Sequence, residues 1–146
     1  CLLGSINLAE FVTEDKKFNY NNFSKAVQIA VKALNDVLDE GLPLHPLKEQ
    51  RDSVRDWRQI GLGIMGLADM LIKMEIRYGS KEAVELCNTI GKHMAAQAIH
   101  TSRQLADKYS PYPKCDVLNI QLEKLTASYY CAYRFTIFNV RNFRRN

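Results

Sequence analysis

Apolar residues recur at steps of three and four in three separate stretches of the chain. Such spacing places them along one face of an α-helix, the face that packs against a core. Near the amino terminus the apolar positions alternate, as at Ile6 and Leu8, which indicates an extended segment over residues 3–12. The pattern predicts a mainly α fold class, with this short N-terminal strand and three long helices, over residues 22–40, 46–75 and 80–109.

The second stripe contains a literal G-x-G-x-x-G motif, from Gly61 to Gly66. A dinucleotide-binding motif needs a hydrophobic strand before it and a helix after it. Residues 51–59 are charged and helix-periodic, so this context is missing. We interpret the glycines as points of close packing within the helix. The chain is then expected to bind no dinucleotide, because helical N–H groups are occupied by i−4 carbonyls.

His93 and His100 are seven residues apart, or about two helical turns. At a rise of 1.5 Å per residue they lie roughly 10 Å apart along the axis, too far to share one metal ion. No H-E-x-x-H pair is present. We therefore interpret both as surface or packed histidines, and we predict no metal site. Cys87 falls on the third apolar stripe and is interpreted as a core residue.

The chain has 146 residues and a net charge of +4, but that charge is unevenly distributed. Residues 124–146 contain five basic residues and no acidic ones, whereas residues 1–123 contain 15 basic and 16 acidic residues. The nearly neutral body argues against a nucleic-acid-binding domain, which needs a basic face. Aromatic residues interleaved with arginine near the end could stack on bases. A divergent tail is the simpler interpretation.

Composition also limits the cellular setting. No apolar run approaches the roughly 20 residues needed to cross a bilayer, so no membrane association is expected. The start of the chain lacks the features of a signal peptide, which favours a cytoplasmic location. Four cysteines occur without a C-x-x-C pair or a zinc spacing, and we expect reduced thiols, at Cys1, Cys87, Cys115 and Cys131.

Residues Cys1 to Leu8 read C-L-L-G-S-I-N-L. Five further distinctive segments follow in order, at residues 26–39, 43–46, 58–69, 78–80 and 106–113. Together and in this order, these segments resemble the catalytic large subunit of ribonucleotide reductases, in which the first segment reads C-N-L-G-S-I-N-L. The resemblance covers about residues 1–117, and the sequence around residues 56–80 is most similar to the adenosylcobalamin-dependent branch.

The resemblance implies a ten-stranded α/β barrel that reduces ribonucleotides to 2′-deoxyribonucleotides through a thiyl radical. In the family, two further cysteines supply the reducing electrons and become a disulfide, which thiol–disulfide exchange resets. Cys1 matches the second of these redox-active cysteines. Leu2 departs from the asparagine that is usual there, which affects local hydrogen bonding rather than the thiol.

The family's radical cysteine, in an N-x-C-x-E motif, and the other redox cysteine lie upstream of this segment and are not in the chain. The downstream G-L-R-N-S and P-T-G-T segments are also missing. We therefore predict that residues 1–117 are a fragment of the catalytic barrel domain. Residues 118–146 are then a basic, aromatic tail that is divergent, disordered or aberrant. The chain alone is expected to be inactive.

The resemblance also implies partners and cofactors for the parent enzyme. These are a ribonucleotide substrate, a dithiol reductant and adenosylcobalamin, or alternatively a radical-generating small subunit with a dimetal site. The parent is also a candidate homodimer, and the chain alone is expected to bind no cofactor. An alternative function is a non-enzymatic helical interaction module with a basic aromatic tail. A nicotinamide-dependent dehydrogenase rests on the glycine motif alone and fails on its context.

Overall fold

The computed structural model describes residues 2–114. Cys1 and the predicted tail, residues 118–146, lie outside the described residues. Two strands and four α-helices follow one another along the chain, with a short 3-10 turn after the first strand and another after the first helix. They are β1 (Leu2–Asn7), α1 (Tyr20–Gly41), α2 (Lys48–Trp57), β2 (Ile60–Met65), α3 (Leu67–Lys73) and α4 (Lys81–Tyr109).

The predicted fold class is confirmed, because most of the described residues are helical and a short strand lies at the amino end. The extended segment predicted over residues 3–12 is correct only as far as Asn7, because residues 8–11 form a 3-10 turn that the Asn7 side chain caps. Two of the predicted helices form almost where expected. Residues 22–40 fall within α1, which starts slightly earlier because Asn19 caps it by accepting a hydrogen bond from the Asn22 N–H at 3.0 Å. The helix predicted over residues 80–109 is α4. It starts at Lys81, because Ser80 caps it by accepting a hydrogen bond from the Ala83 N–H.

The predicted helix over residues 46–75 is wrong. Helix α2 ends at Trp57 because Arg58 adopts the left-handed conformation, with φ of 43°. The next residues form strand β2, and Gly66, with φ of +70°, leads into α3. Residues Ile60 to Met65 are uncharged and contain two glycines, which are poor helix formers. Pairing with β1 satisfies their backbone groups and decides in favour of a strand.

The two strands form a parallel pair, in register from Leu2 opposite Ile60 to Asn7 opposite Met65. The connection between them contains α1 and α2, as a parallel pair requires a crossover connection. Helix α1 covers one side of the strands at close range. A Cβ atom at Gly4 would lie 3.3 Å from Leu34 Cδ2, so glycine at this position permits the close approach.

The hydrophobic core lies between the strand pair, α1, α3 and α4. Aromatic rings close one end of this core: Phe23 is buried and its ring contacts those of Phe11 and Phe18 edge-on, with centroids 5.3 Å and 5.2 Å away. Other fully buried apolar side chains come from all the packed elements, including Leu8, Val27, Val31, Ile60, Met70 and Leu71. No helix among residues 2–114 combines the length and the apolar character needed to cross a membrane.

Candidate functional site on the strand pair

Strand alternation divides the β1–β2 pair into two faces. Because side chains two residues apart share a face and paired residues of parallel strands lie side by side, two sets of six residues result. We call one set the covered face: Leu2, Gly4, Ile6, Ile60, Leu62 and Ile64. We call the other set the open face: Leu3, Ser5, Asn7, Gly61, Gly63 and Met65.

Burial differs sharply between these faces. On the covered face Ile60 is only 1% exposed and Ile6 is also buried, although Ile64 near the carboxyl end is 41% exposed. On the open face Leu3 is 74% exposed and Met65 is 54% exposed. Within residues 2–114 the open face is therefore only partly covered. It is accessible to a substrate or to another segment of chain.

The open face carries little side-chain bulk along β2. Gly61 and Gly63 leave the backbone accessible there, and a Cβ at Gly63 would lie 3.2 Å from Ser5 Oγ. Glycine within a strand often marks a place where a ligand or another backbone approaches closely. The Ser5 hydroxyl is exposed beside these glycines. This part of the open face therefore exposes the Ser5 hydroxyl next to the backbone of β2.

At the amino end of the strand pair, Arg58 ties β2 to α1. Its side chain is only 5% exposed, and Nη2 donates hydrogen bonds to Asp39 Oδ1 and, at 3.4 Å, to Asn35 Oδ1. The Arg58 Nε atom is buried without a hydrogen-bond partner among the described residues. One residue further on, Gln59 O accepts a hydrogen bond from Leu2 N at 3.3 Å. Among the described residues, this hydrogen bond lies at the amino end of the strand pair. Its donor, Leu2, is the residue directly after Cys1 in the sequence.

At the carboxyl end, Asn7 and Gly66 form a tight junction. Asn7 Oδ1 accepts a hydrogen bond from the Ala9 N–H at 3.2 Å, which starts the short turn after β1. A Cβ at Gly66 would overlap Asn7 Oδ1, so any other residue would displace the Asn7 side chain and would also have to adopt the left-handed conformation. Lys73 Nζ donates to Ala9 O at 2.9 Å and joins α3 to the same turn. The junction sits where active sites lie in other parallel α/β folds, at the carboxyl ends of the strands.

Cys1, the predicted catalytic residue, lies outside the described residues, so its redox role stays a prediction. Sequence reasoning missed Arg58, Asn7 and Gly66 as residues that shape this site. Arg58 carried one available signal, since it is a charged residue directly before an uncharged run of ten, Gln59 to Ala68, and such a position is a candidate strand boundary. The clash at Gly66 depends on a residue 59 positions earlier, and no local pattern reveals it.

Cys87 is the free cysteine that the structure describes, on α4. It is half-buried, and this burial raises the pKa of its thiol because desolvation disfavours the thiolate. The prediction that it belongs to a core stripe is met only in part, since the side chain stays partly accessible. A thiol with less thiolate at neutral pH is a poorer nucleophile and a poorer redox partner.

His93 is a packed histidine, in agreement with its interpretation from the sequence. Its Nε2 lies 2.6 Å from Ser24 Oγ, and its ring contacts those of Tyr20 and Phe23. Ser24 Oγ also lies 2.8 Å from Tyr20 O, so this hydroxyl joins the backbone of α1 to the imidazole on α4. His100 is exposed, and residues 2–114 contain no cluster of three or more potential metal ligands.

The prediction that the glycines of the G-x-G-x-x-G motif lie inside a helix is wrong. Gly61 and Gly63 lie within a paired strand rather than within a helix. A dinucleotide fold would place its glycines in the turn after the strand, where N–H groups are free to bind a pyrophosphate. Here that turn holds only Gly66. The absence of dinucleotide binding stays a prediction, now based on this strand placement.

Comparison with known proteins gives a consistent set of relatives. A family model described as the barrel domain of ribonucleotide reductase matches residues 1–138. The vitamin B12-dependent ribonucleoside-diphosphate reductase of Thermoplasma acidophilum is 37% identical over 113 residues, which are 77% of this chain and 14% of that protein. The enzyme of the same description from Mycobacterium tuberculosis is 39% identical over 114 residues, covering 77% and 16%.

A relative without the vitamin B12 description is almost as similar. The ribonucleoside-diphosphate reductase large subunit of Danio rerio is 35% identical over 112 residues, covering 77% of this chain and 14% of that protein. The chain thus spans about one seventh of the length of these relatives. The family match runs past residue 117, where we expected the barrel segment to end.

Proposed function

Because the chain belongs to the ribonucleotide reductase family, through the barrel domain, we propose that it forms part of the catalytic barrel of a reductase large subunit. That enzyme converts ribonucleotides to 2′-deoxyribonucleotides, and the names of the relatives favour ribonucleoside diphosphates as substrates. The observation that carries the proposal is the parallel β1–β2 pair, whose covered face packs on α1 while Leu3 and Met65 on its open face are exposed among residues 2–114. Such a pair suits a barrel wall with a reactive interior.

The proposed reaction replaces the 2′-hydroxyl of the ribose by hydrogen. The hydroxyl leaves as water, and two thiols supply two electrons and two protons as they become one disulfide. A thiyl radical on a third cysteine starts the reaction, and an external dithiol later reduces the disulfide by exchange. We assign Cys1 as one thiol of the redox pair. The radical cysteine and the second redox thiol then come from the remainder of a longer enzyme.

The open face supports this assignment. In the sequence Cys1 directly precedes β1, the strand that contributes Leu3 and Ser5 to the open face. Gly61 and Gly63 on the neighbouring strand leave room for a ribose or a second thiol to approach. Cys87 is a poor substitute for Cys1, since it is half-buried on α4 with a raised thiol pKa.

Two B12-dependent relatives favour adenosylcobalamin as the radical source, and a small subunit with a dimetal site is the alternative. The residues described here do not fit either group. Residues 2–114 contain no cluster of potential metal ligands, and a surface cavity of about 360 Å³ beside α2 is an open groove. We therefore assign none of these residues to the radical source. For the same reason, and because the other two cysteines are missing, the chain alone is proposed to be inactive.

A chimeric enzyme tests the proposal. Residues 1–114 replace the matching segment of the Thermoplasma acidophilum reductase, and activity is measured with a ribonucleoside diphosphate and a dithiol. The Cys1 chimera should turn over repeatedly, and Cys1→Ser should lower kcat by at least about 100-fold, since one of two electron-donating thiols is lost. Cys87→Ser is the matched control and should retain activity. A folded chimera without activity, or a Cys1→Ser variant with normal turnover, would contradict the proposal.

A further inference from the structure

Helix α1 has exposed apolar residues on the side that does not face the core. Ile29 is 67% exposed and Val37 is 54% exposed, and Ala33 between them is also exposed. They recur every four residues and therefore lie along one side of the helix, whereas the buried Val27 and Val31 lie on the other side. We call Ile29, Ala33 and Val37 the α1 strip.

Charged residues accompany the α1 strip in a definite order. Lys25 and Lys32 lie toward the amino end of the helix, and Asp36 and Glu40 lie toward its carboxyl end. All four side chains are exposed, and within residues 2–114 none of them forms an ion pair. Lys108 of α4 interacts with Asp36 only over a distance longer than that of an ion pair.

The stability of α1 itself does not explain this order. A helix is stabilised by acidic residues in its first turn and by basic residues in its last turn, because of its macrodipole. Helix α1 has no acidic residue in its first turn and no basic residue in its last turn. Glu40 lies in that last turn, and unlike Asp39 it is not paired with Arg58. The charge order therefore fits an interaction with another molecule.

We propose that the α1 strip is a docking site for a second copy of this chain, with the two α1 helices antiparallel. In such a pair, residues at equal distances before and after the centre meet. With Ala33 at the centre, Ile29 lies opposite the partner's Val37, four residues away on each side. The small alanine side chains let the two helices approach closely where they cross.

Charge complementarity selects this occupant. Lys25 and Glu40 are 15 residues apart, so a partner must offer opposite charges about 22 Å apart in the reverse order. An antiparallel copy of α1 does so, because Lys25 then lies near the partner's Glu40 and Lys32 near the partner's Asp36. The contact is isologous, since both copies use the same surface. The proposal does not depend on the proposed catalytic function.

The dimer should be weak. One helix face on each copy buries less than the roughly 1,200 Å² in total that stable complexes bury. We expect a dissociation constant of about 10–100 µM, so that the chain is mainly monomeric at about 1 µM. Sedimentation equilibrium of the 146-residue chain between these limits and about 500 µM should show the mass rise from monomer toward dimer. A monomer throughout this range would overturn the proposal.

Ile29→Glu tests the apolar contact. It places a charge in the centre of the interface and should raise the dissociation constant at least about tenfold. Ile72→Glu is the matched control, because Ile72 is 73% exposed but lies on α3. It should leave the dissociation constant unchanged. Equal effects of the two substitutions would overturn the proposal, since association would then not involve the α1 strip.

A charge exchange tests the antiparallel arrangement. Lys25→Glu alone, or Glu40→Lys alone, places like charges near each other at both ends of the dimer and should weaken it about threefold to tenfold. The double variant Lys25→Glu with Glu40→Lys restores opposite charges across the interface and should associate as the unmodified chain does. A double variant that associates no better than the single variants would contradict the antiparallel pairing and overturn the proposal.

Discussion

The helix pair α1–α4 and the strand pair β1–β2 bury their apolar side chains in different ways. The two helices pack against each other, and their apolar stripes meet around buried residues such as Val27, Val31 and Ile90. The strands bury one face against α1 and leave the other only partly covered among residues 2–114. The helices therefore act as a scaffold, and the strands are the part that a larger catalytic site can use.

The scaffold should be most sensitive to loss of a buried aromatic ring. Phe23→Ala removes a fully buried ring from the centre of the aromatic contacts on α1. The free energy of unfolding should fall by about 3–5 kcal/mol, as for other buried Phe to Ala changes. Denaturant titration measures it, with Ile29→Ala as the exposed control on the same helix. Similar losses for both variants would refute the described packing of α1.

The carboxyl end of the strand pair should be nearly as sensitive. Gly66→Ala forces a left-handed alanine, at about 1–2 kcal/mol, and also displaces Asn7 from its turn, at roughly 1 kcal/mol more. A total loss of about 2–3 kcal/mol is expected in the unfolding free energy. Gly79→Ala isolates the backbone term, because its φ is +76° but no atom lies within 4 Å. Equal effects at the two glycines would mean that the Asn7 junction is absent.

The two strand faces should respond unequally to loss of side-chain atoms. Ile60→Val, on the covered face, should reduce the unfolding free energy by about 0.5–1.5 kcal/mol through one lost methyl group. Leu3→Ala, on the open face, removes more atoms yet should change stability by less than about 0.5 kcal/mol in this chain. Thermal unfolding of both variants gives the comparison. A greater loss from Leu3→Ala would show that the open face is covered.

The smallest expected effect concerns Cys87 on the scaffold. Burial raises its thiol pKa, so the folded chain should contain less thiolate at this position than a free cysteine peptide at the same pH. Alkylation with iodoacetamide, resolved by peptide mass spectrometry, should therefore reach its half-maximal rate at a higher pH than in the peptide. Unfolding the chain in urea should remove the difference. A midpoint at or below that of the peptide would contradict the described burial.

The difference between the helices and the strands also explains which elements could be predicted from the sequence. Helices α1 and α4 were predictable because each carries its own apolar period and its own start signal, at Asn19 and Ser80. Strand β2 was missed because Gly61 and Ile64 also fit a helical step of three. Its pairing depends on β1, 58 residues earlier in the chain. Local pattern cannot reveal such non-local pairing.

The candidate site was predictable only in part. The role of Cys1 came from resemblance to a family, since a single cysteine in an extended segment carries no chemistry of its own. The place of Arg58 before an uncharged run marked a candidate strand boundary, but its burial could not be recognised, because most arginines are exposed and this one is buried against Asn35 and Asp39 of another helix. The structure and the family resemblance therefore each contribute a residue of the candidate site that the pattern of apolar and polar positions alone does not indicate.

The most direct test of the central claim is a thiol count after one turnover of the chimera without external reductant. Each 2′-deoxynucleotide formed should consume two thiols, and peptide mapping should place Cys1 in a disulfide with a cysteine of the surrounding reductase, while Cys87 remains alkylatable. Product formed while Cys1 stays a free thiol would contradict the account.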